Sequence, residues 1–343
     1  MYSLHGNAFT KQDVYFALRD RQLLTLTIML ENICNFKCPF CYTQTQKFDN
    51  ELSTEEIKKM VDDGLALGIK TVLVAGAGEP LLARNFWEVI DYIGDKGLHC
   101  ILFSNMTAIN SDTAEKLYAR DVSIIGKINS FKDDVQNEIV GGIHNAASKM
   151  RRGLKNLMDV GFNRLEKGNT RLAIETSVLP ENIDEIYDIW SYCRSHTIFP
   201  LVDTVLYEGS AKQHRYDDFL VPYTRLVEEV SRIRQYDREM GFEWPIKIIK
   251  RENDRGIIVG ELAGDCHRIG TNLNVNSIGD VYDCFNMSQP TYGNIRERSL
   301  IDIWNADRPD DKALRVHGLC HCRHLDDRSS IKGEMACLSS AVS

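Results

Sequence analysis

The sequence predicts an α/β protein in which a parallel sheet, curved into a full or partial barrel, is followed by a small cysteine-rich unit. Short apolar runs alternate with amphipathic stretches six times between Leu23 and Val205. That rhythm is the signature of successive βαβ crossovers. After about Gly260 the chain becomes loop-rich, and five of its 10 cysteines fall there.

Residues 1–20 mix aromatic, histidine and charged residues and are expected to pack on the outside. Leu23–Leu30 (LLTLTIML) is short and apolar, as a buried strand should be. Ser53 and Glu56 have capping-box spacing, the apolar residues Ile57, Met60, Val61, Leu65 and Leu67 follow at helical intervals, and Gly68 ends the run. Lys70–Ala75 reads as the second strand. The pattern recurs with a helix over Trp87–Gly97 and a strand over His99–Phe103, then a helix over Asp112–Ala119 and a strand over Val122–Ile128. Val135–Met158 is largely helical, interrupted by Gly141 and Gly142, and Thr170–Val178 alternates like a strand. A helix over Ile183–Ser195 precedes the sixth strand, Ile198–Val205. Tyr207–Asp218 is read as a loop over the barrel mouth and Val221–Met240 as an amphipathic helix. These features divide the chain into a core over 1–215, a linker and bridging helix over 216–260, and a cysteine-rich domain over 261–343.

The 343 residues are ordinary for a globular protein, 43% hydrophobic and 26% charged. A net charge of -8 would repel a phosphate backbone, so nucleic acid is not an expected partner. No basic, then apolar, leader opens the sequence, and no apolar run approaches the roughly 18 residues that a membrane helix needs. The expectation is a cytoplasmic protein without a membrane partner. In a reducing compartment 10 cysteines suit metal or redox chemistry better than disulfides.

The chemistry is concentrated in Cys34-Asn35-Phe36-Lys37-Cys38-Pro39-Phe40-Cys41, directly after the first strand. Three thiols spaced C-x3-C-x2-C are one short of a closed zinc site. On a four-iron cube they leave one iron open. A zinc knuckle, or three unrelated core cysteines, is the other reading of the spacing alone. The spacing, with Phe40 before the third thiol, resembles the signature of the radical S-adenosylmethionine (SAM) enzymes. The resemblance implies a partial (β/α)6 barrel and a [4Fe–4S] cluster held by Cys34, Cys38 and Cys41. It further implies that SAM chelates the open iron and is cleaved reductively to methionine and a 5′-deoxyadenosyl radical, with a reductant such as flavodoxin or ferredoxin as partner.

Ala77-Gly78-Glu79-Pro80, at the end of the second strand, looks like the Gly-Gly-Glu-Pro turn of that family, with Ala77 in place of the first glycine. The likeness makes Gly78, Glu79 and Pro80 SAM-binding residues. Ser104-Asn105 is similar to the family's Thr-Asn-Gly turn, which places either residue against the ribose or carboxylate of SAM. The fourth strand ends in Lys127-Ile128-Asn129-Ser130, unlike the Ser-(Ile/Leu)-Asp-Gly sequence of many peptide-modifying members. Lys127 would suit the SAM carboxylate or an acidic substrate, and Ser130 is placed among the cofactor contacts. Glu175 on the fifth strand is costly in a barrel interior unless paired, so a ligand hydroxyl or Lys127 is its expected partner.

Cys266-x12-Gly279-x4-Cys284, with Tyr292-Gly293-Asn294-Ile295 and Trp304 beyond, fits the opening of the SPASM and twitch domains appended to many radical SAM enzymes. A hairpin turning at Ser277-Ile278-Gly279-Asp280 would bring Cys266 and Cys284 together. Cys320 and Cys322 would complete one auxiliary [4Fe–4S] site, leaving Cys337 as a candidate hydrogen donor. Zinc held by these thiols with His267, His317, His321 or His324 is the alternative. Cys100 and Cys193 fall in apolar patterns and read as small core residues. The expected reaction is hydrogen abstraction from a small polar natural-product intermediate such as a sugar, aminocyclitol or nucleoside, giving oxidation or epimerisation. A peptide maturase is the main alternative, and a non-catalytic iron–sulfur or zinc protein is one of another class.

Overall fold

The computed structural model describes residues 2–43, 48–76, 78–242, 247–253, 255–263, 270–282 and 291–306. Six parallel strands are joined by helical crossovers: β1 (Thr25–Ile28), α1 (Thr54–Ala66), β2 (Thr71–Val74), α2 (Phe86–Asp95), β3 (His99–Ser104), α3 (Ser111–Ala119), β4 (Ser123–Lys127), α4 (Asp133–Ile139), α5 (Ala146–Val160), β5 (Leu172–Val178), α6 (Ile186–Ser195) and β6 (Phe199–Thr204). The predicted capping box opens α1, with Glu56 N–H donating to Ser53 Oγ and Ser53 N–H to the Glu56 carboxylate. The single helix expected over Val135–Met158 is two, because Gly141 and Gly142 take positive φ between α4 and α5.

Alternate residues of each strand face opposite layers. Leu26, Ile28, Val72, Val74, Cys100, Leu102, Ile124 and Leu172 pack beneath the helices with Ile57, Met60, Phe86, Ile90, Leu117 and Leu157. Leu73, Ala75, Ile101, Ile125 and Ala173 face the barrel interior. Leu4 joins that inner cluster, and the segment around it pairs in parallel with Asn169–Thr170. The leading segment therefore closes the barrel floor rather than lying on the outside, because Leu4 and Tyr2 are both buried.

Among the described residues the sheet has eight strands. After the short β7 (Val221–Pro222), the helix α7 (Tyr223–Glu239) and the strands β8 (Lys247–Glu252) and β9 (Ile258–Ala263) come β10 (Asn272–Val275), β11 (Val281–Tyr282) and the helix α8 (Leu300–Ala306). The order is β11-β10-β1-β2-β3-β4-β5-β6, with β10 parallel to β1 and β11 antiparallel to β10. The six-strand expectation omits β10, which covers the edge that β1 would otherwise present. The β10–β11 turn falls where the sequence predicts: Asn276 Oδ1 accepts from the Ile278 and Asp280 amides, and Gly279 has a φ of +94°.

The expected linker over 216–260 is a packed layer. The strand order β8-β9-β7 forms an antiparallel sheet, and α7 packs on α6 through Leu226, Val230, Ile233, Ile186 and Trp190. The Tyr207–Asp218 stretch contains the 3-10 turn Gly209–Gln213 and runs into a second, Tyr216–Phe219. Among the described residues no helix is long and apolar enough to cross a membrane.

Candidate active site

The cysteine loop leaves β1 at the C-terminal end of the sheet, where the open positions of a barrel lie. Two glycines on other crossovers clamp it. Gly78 has a φ of +100°, and any Cβ there would overlap the Ile33 carbonyl, which accepts a 2.8 Å hydrogen bond from the Glu79 amide. At Gly141, with φ +93°, a Cβ would fall 2.5 Å from the Lys37 carbonyl oxygen. Only glycine permits both approaches. Within the loop, Cys41 N–H donates to the Cys38 carbonyl at 3.2 Å, closing a four-residue turn with Pro39 at its second position.

The aromatic rings of the loop anchor it. Phe36 is buried with Val140, Ala146 and Met150, while Phe40 packs among Ile139, Leu179, Val205 and Phe219. Phe40, expected at the cofactor, thus sits in an apolar cluster bordered by Cys38. The backbone that carries the third thiol is held by the segment that follows β6. Ala211 N–H donates to the Cys41 carbonyl, and Gly209 lies against the Tyr42–Thr43 backbone so closely that a Cβ would overlap it.

All three thiols are free. Burial pushes Cys34 up to about 11 and Cys38 up to about 12. The nearby Cys41 adds to both shifts, and the Lys127 charge opposes the second. Such a cluster ionises when a cation supplies compensating charge. Ligands of one tetrahedral ion stand about 4 Å apart, given metal–sulfur bonds near 2.3 Å, whereas these three sulfurs do not all lie within 4.8 Å of one another. Among the described residues the two other cysteines, Cys100 and Cys193, are buried in the core, so the loop offers three thiols, a donor set that fits a multi-iron cluster with an open iron.

Glu79 locks two strand ends together. Its buried carboxylate accepts from Ser104 Oγ (2.8 Å), the Asn105 amide (2.6 Å) and the Leu81 amide (3.3 Å). Burial pushes its carboxyl up to about 7 against the pull of these bonds. Pro80 opens the short turn Pro80–Leu82 for which Glu79 is the cap. Asn105 in turn donates to Asn35 Oδ1 at 2.8 Å, so the β3 turn touches the cysteine loop itself. Ser104 and Asn105 are therefore brought to the site, where their side chains bond to Glu79, Asn35, the Met106 amide and Thr107.

Lys127 and Glu175 form an ion pair at 2.6 Å, and Ser177 Oγ lies 3.5 Å from the same Nζ. Both charged residues are partly exposed and continue the inward-facing rows Ile125–Lys127 and Ala173–Glu175. Ser130, also expected at the cofactor, is buried and donates to Glu185 Oε1. It belongs to a network in which Gln136 Oε1 accepts from the Asn129 and Ser130 amides, and Asn182 donates to the Asn129 and Ser177 carbonyls. Sequence reading missed Gln136, Asn182, Glu185 and Gly209. Only the glycine carried a local signal. Ala77, Cys266, Cys284, Cys320, Cys322 and Cys337 lie outside the described residues.

Comparison with known proteins gives the setting. Residues 28–192 match the radical SAM superfamily, and residues 266–324 match the SPASM iron–sulfur cluster-binding domain. The second match spans Cys266, Cys284, Cys320 and Cys322 and ends before Cys337. The chain is 26% identical over 295 residues to Fe-coproporphyrin III synthase of Methanosarcina barkeri, covering 79% of this chain and 71% of that protein. It is 27% identical over 187 residues to AdoMet-dependent heme synthase of Nitratidesulfovibrio vulgaris, covering 52% of this chain and about half, 48%, of that relative. The crystal structure of Streptococcus suis SuiB bound to precursor peptide SuiA superposes with a TM-score of 0.63 at 16% identity, covering 87% of this chain and 68% of that one.

Proposed function

The chain is a radical SAM enzyme with a C-terminal SPASM domain, and from that premise we propose that it takes a hydrogen atom from a C–H bond of a small polar substrate carrying an anionic group. The observation that carries the reading is the Lys127–Glu175 pair, partly exposed on the inward face of the sheet, with the lysine charge acting on the Cys38 thiol. When bound, the [4Fe–4S] cluster and SAM supply a 5′-deoxyadenosyl radical.

The chain's own residues do the positioning. Cys34, Cys38 and Cys41 hold the cluster, while Gly78, Glu79 and Pro80 with Ser104 and Asn105 fix the two turns that border it. Lys127 Nζ offers a cation to a substrate carboxylate or phosphate, and Glu175 keeps that ammonium oriented and can accept from a substrate hydroxyl. Both relatives, Fe-coproporphyrin III synthase and AdoMet-dependent heme synthase, are named for small molecules, which supports that substrate class. The SPASM thiols offer a second cluster as electron acceptor, and Cys337 a hydrogen donor. Net oxidation and epimerisation are the corresponding outcomes.

The test is 5′-deoxyadenosine release by the reduced enzyme, with carboxylated tetrapyrroles, nucleotides, sugars or peptides added in turn. Stimulation by an anionic small molecule is expected, and Lys127→Met should keep the unstimulated rate while losing most of the stimulation. Stimulation by peptides alone, insensitive to Lys127, overturns the reading.

A further inference from the structure

At the opposite end of the barrel from the cysteine loop, three distant chain segments bring metal-ligating groups together. His5 follows the paired residues Ser3–Leu4, His99 is the first residue of β3, and Asp121 stands in the turn between α3 and β4. One ligand atom from each lies within 4.8 Å of the other two, the only such trio among the described residues. The two imidazoles meet edge to face with centroids 4.5 Å apart. His5 Nε2 is 3.4 Å from Asp121 Oδ2, yet it is buried and makes no hydrogen bond.

We propose that His5, His99 and Asp121 form a site for a divalent transition-metal ion, zinc or a close neighbour, on the N-terminal face of the barrel and separate from the iron–sulfur centres. Two imidazoles and one carboxylate are a borderline donor set that suits Zn²⁺, Co²⁺ and Ni²⁺, and zinc commonly takes three protein ligands with water in the fourth position. The partial exposure of the trio leaves room for that water.

The ligands are held from behind. Arg171 Nη1 lies 3.3 Å from Asp121 Oδ1, so the other carboxylate oxygen is left to face His5. Arg171 is fixed by donating to the Tyr118 and Val122 carbonyls. An outer partner that orients a ligating carboxylate is a usual feature of metal sites. His5 is placed by its own amide, which donates to the Thr170 carbonyl, and by Thr71 Oγ1, which donates to the Gly6 carbonyl. A bound ion would tie the leading segment, through which Leu4 closes the barrel floor, to β3 and β4. Binding would then stabilise the fold by mass action.

The experiment is an anaerobic calorimetric titration of the full-length, cluster-loaded enzyme with Zn²⁺, with zinc-edge X-ray absorption on the product. The expected result is one equivalent bound through nitrogen and oxygen only. His99→Ala should weaken it by at least the ~10–100-fold typical of losing an outer-shell partner, with iron content and reductive SAM cleavage unchanged. The thermal midpoint should rise with zinc in the parent and stay put in the variant. If His99→Ala fails to retain iron, His5→Ala on the leading segment makes the same comparison. Equal zinc binding by parent and variant, no binding, or sulfur around the zinc overturns the proposal.

Discussion

Gly78 is the residue on which the site turns. Its positive φ and its contact with Ile33 leave no space for a side chain, and the Glu79 amide beside it is the link between the β2 turn and the cysteine loop. Gly78→Ala should therefore push the turn off the loop. We expect a cost of about 1–3 kcal/mol from the strained backbone alone, seen as a lowered denaturation midpoint, with less than the full complement of iron after reconstitution. A variant with parental midpoint and iron would contradict the assigned contact. The residues legible in the sequence are those whose meaning is local. Three thiols at fixed spacing and a glycine before a Glu-Pro pair identify themselves. Position in a motif points Ser130 and Phe40 to the cofactor, whereas their partners within the protein come from afar: Ser130 donates to Glu185, 55 residues away, and Phe40 packs in an apolar cluster drawn from several crossovers. No short-range pattern encodes such partners.

Helix α1 shows how an element joins the two ends of the chain. Glu56, which completes its capping box, also receives Arg296 through two nitrogens, and the same guanidinium donates to the Asn50 carbonyl. The hydrogen bond from Arg296 is the largest cause that lowers Glu56 from its ordinary 4.5 to about 2. A depressed folded-state value means that the contribution is complete above about pH 4.5 and is lost as pH falls toward 2. Both side chains are about a third exposed, so the pair is worth roughly 0.5–1 kcal/mol. Arg296→Ala should lower stability by about that amount at pH 7 and leave the variant and parent closer together at pH 3, as measured by denaturant midpoints. A gap that widens on acidification would contradict the assignment. The six strands and their crossovers were readable because hydrophobic period and glycine breaks are short-range signals. β10 was not readable as part of the barrel sheet, since its pairing with β1 joins Asn272 to Thr25.

Across the whole molecule, the two regions read as separate domains share one core. The α8 residues Leu300, Ile303 and Trp304 are buried with the main cluster under the barrel helices, and Trp304 Nε1 donates to the Arg21 carbonyl. The strand that leads from the first SPASM thiol, β10, lies directly against the strand that leads to the radical SAM thiols, β1. The described part of the SPASM match, residues 270–282 and 291–306, is thus continuous with the sheet and the core of the radical SAM region. The decisive measurement is made on anaerobically reconstituted protein in which Cys34, Cys38 and Cys41 are all alanine. It combines iron content and the reduced EPR spectrum with 5′-deoxyadenosine release under reductant. The account predicts release by the parent and none by the variant, which should still hold about four irons in a reducible cluster on the C-terminal thiols. Continued 5′-deoxyadenosine formation by the variant, or complete loss of iron from a folded protein, would contradict it.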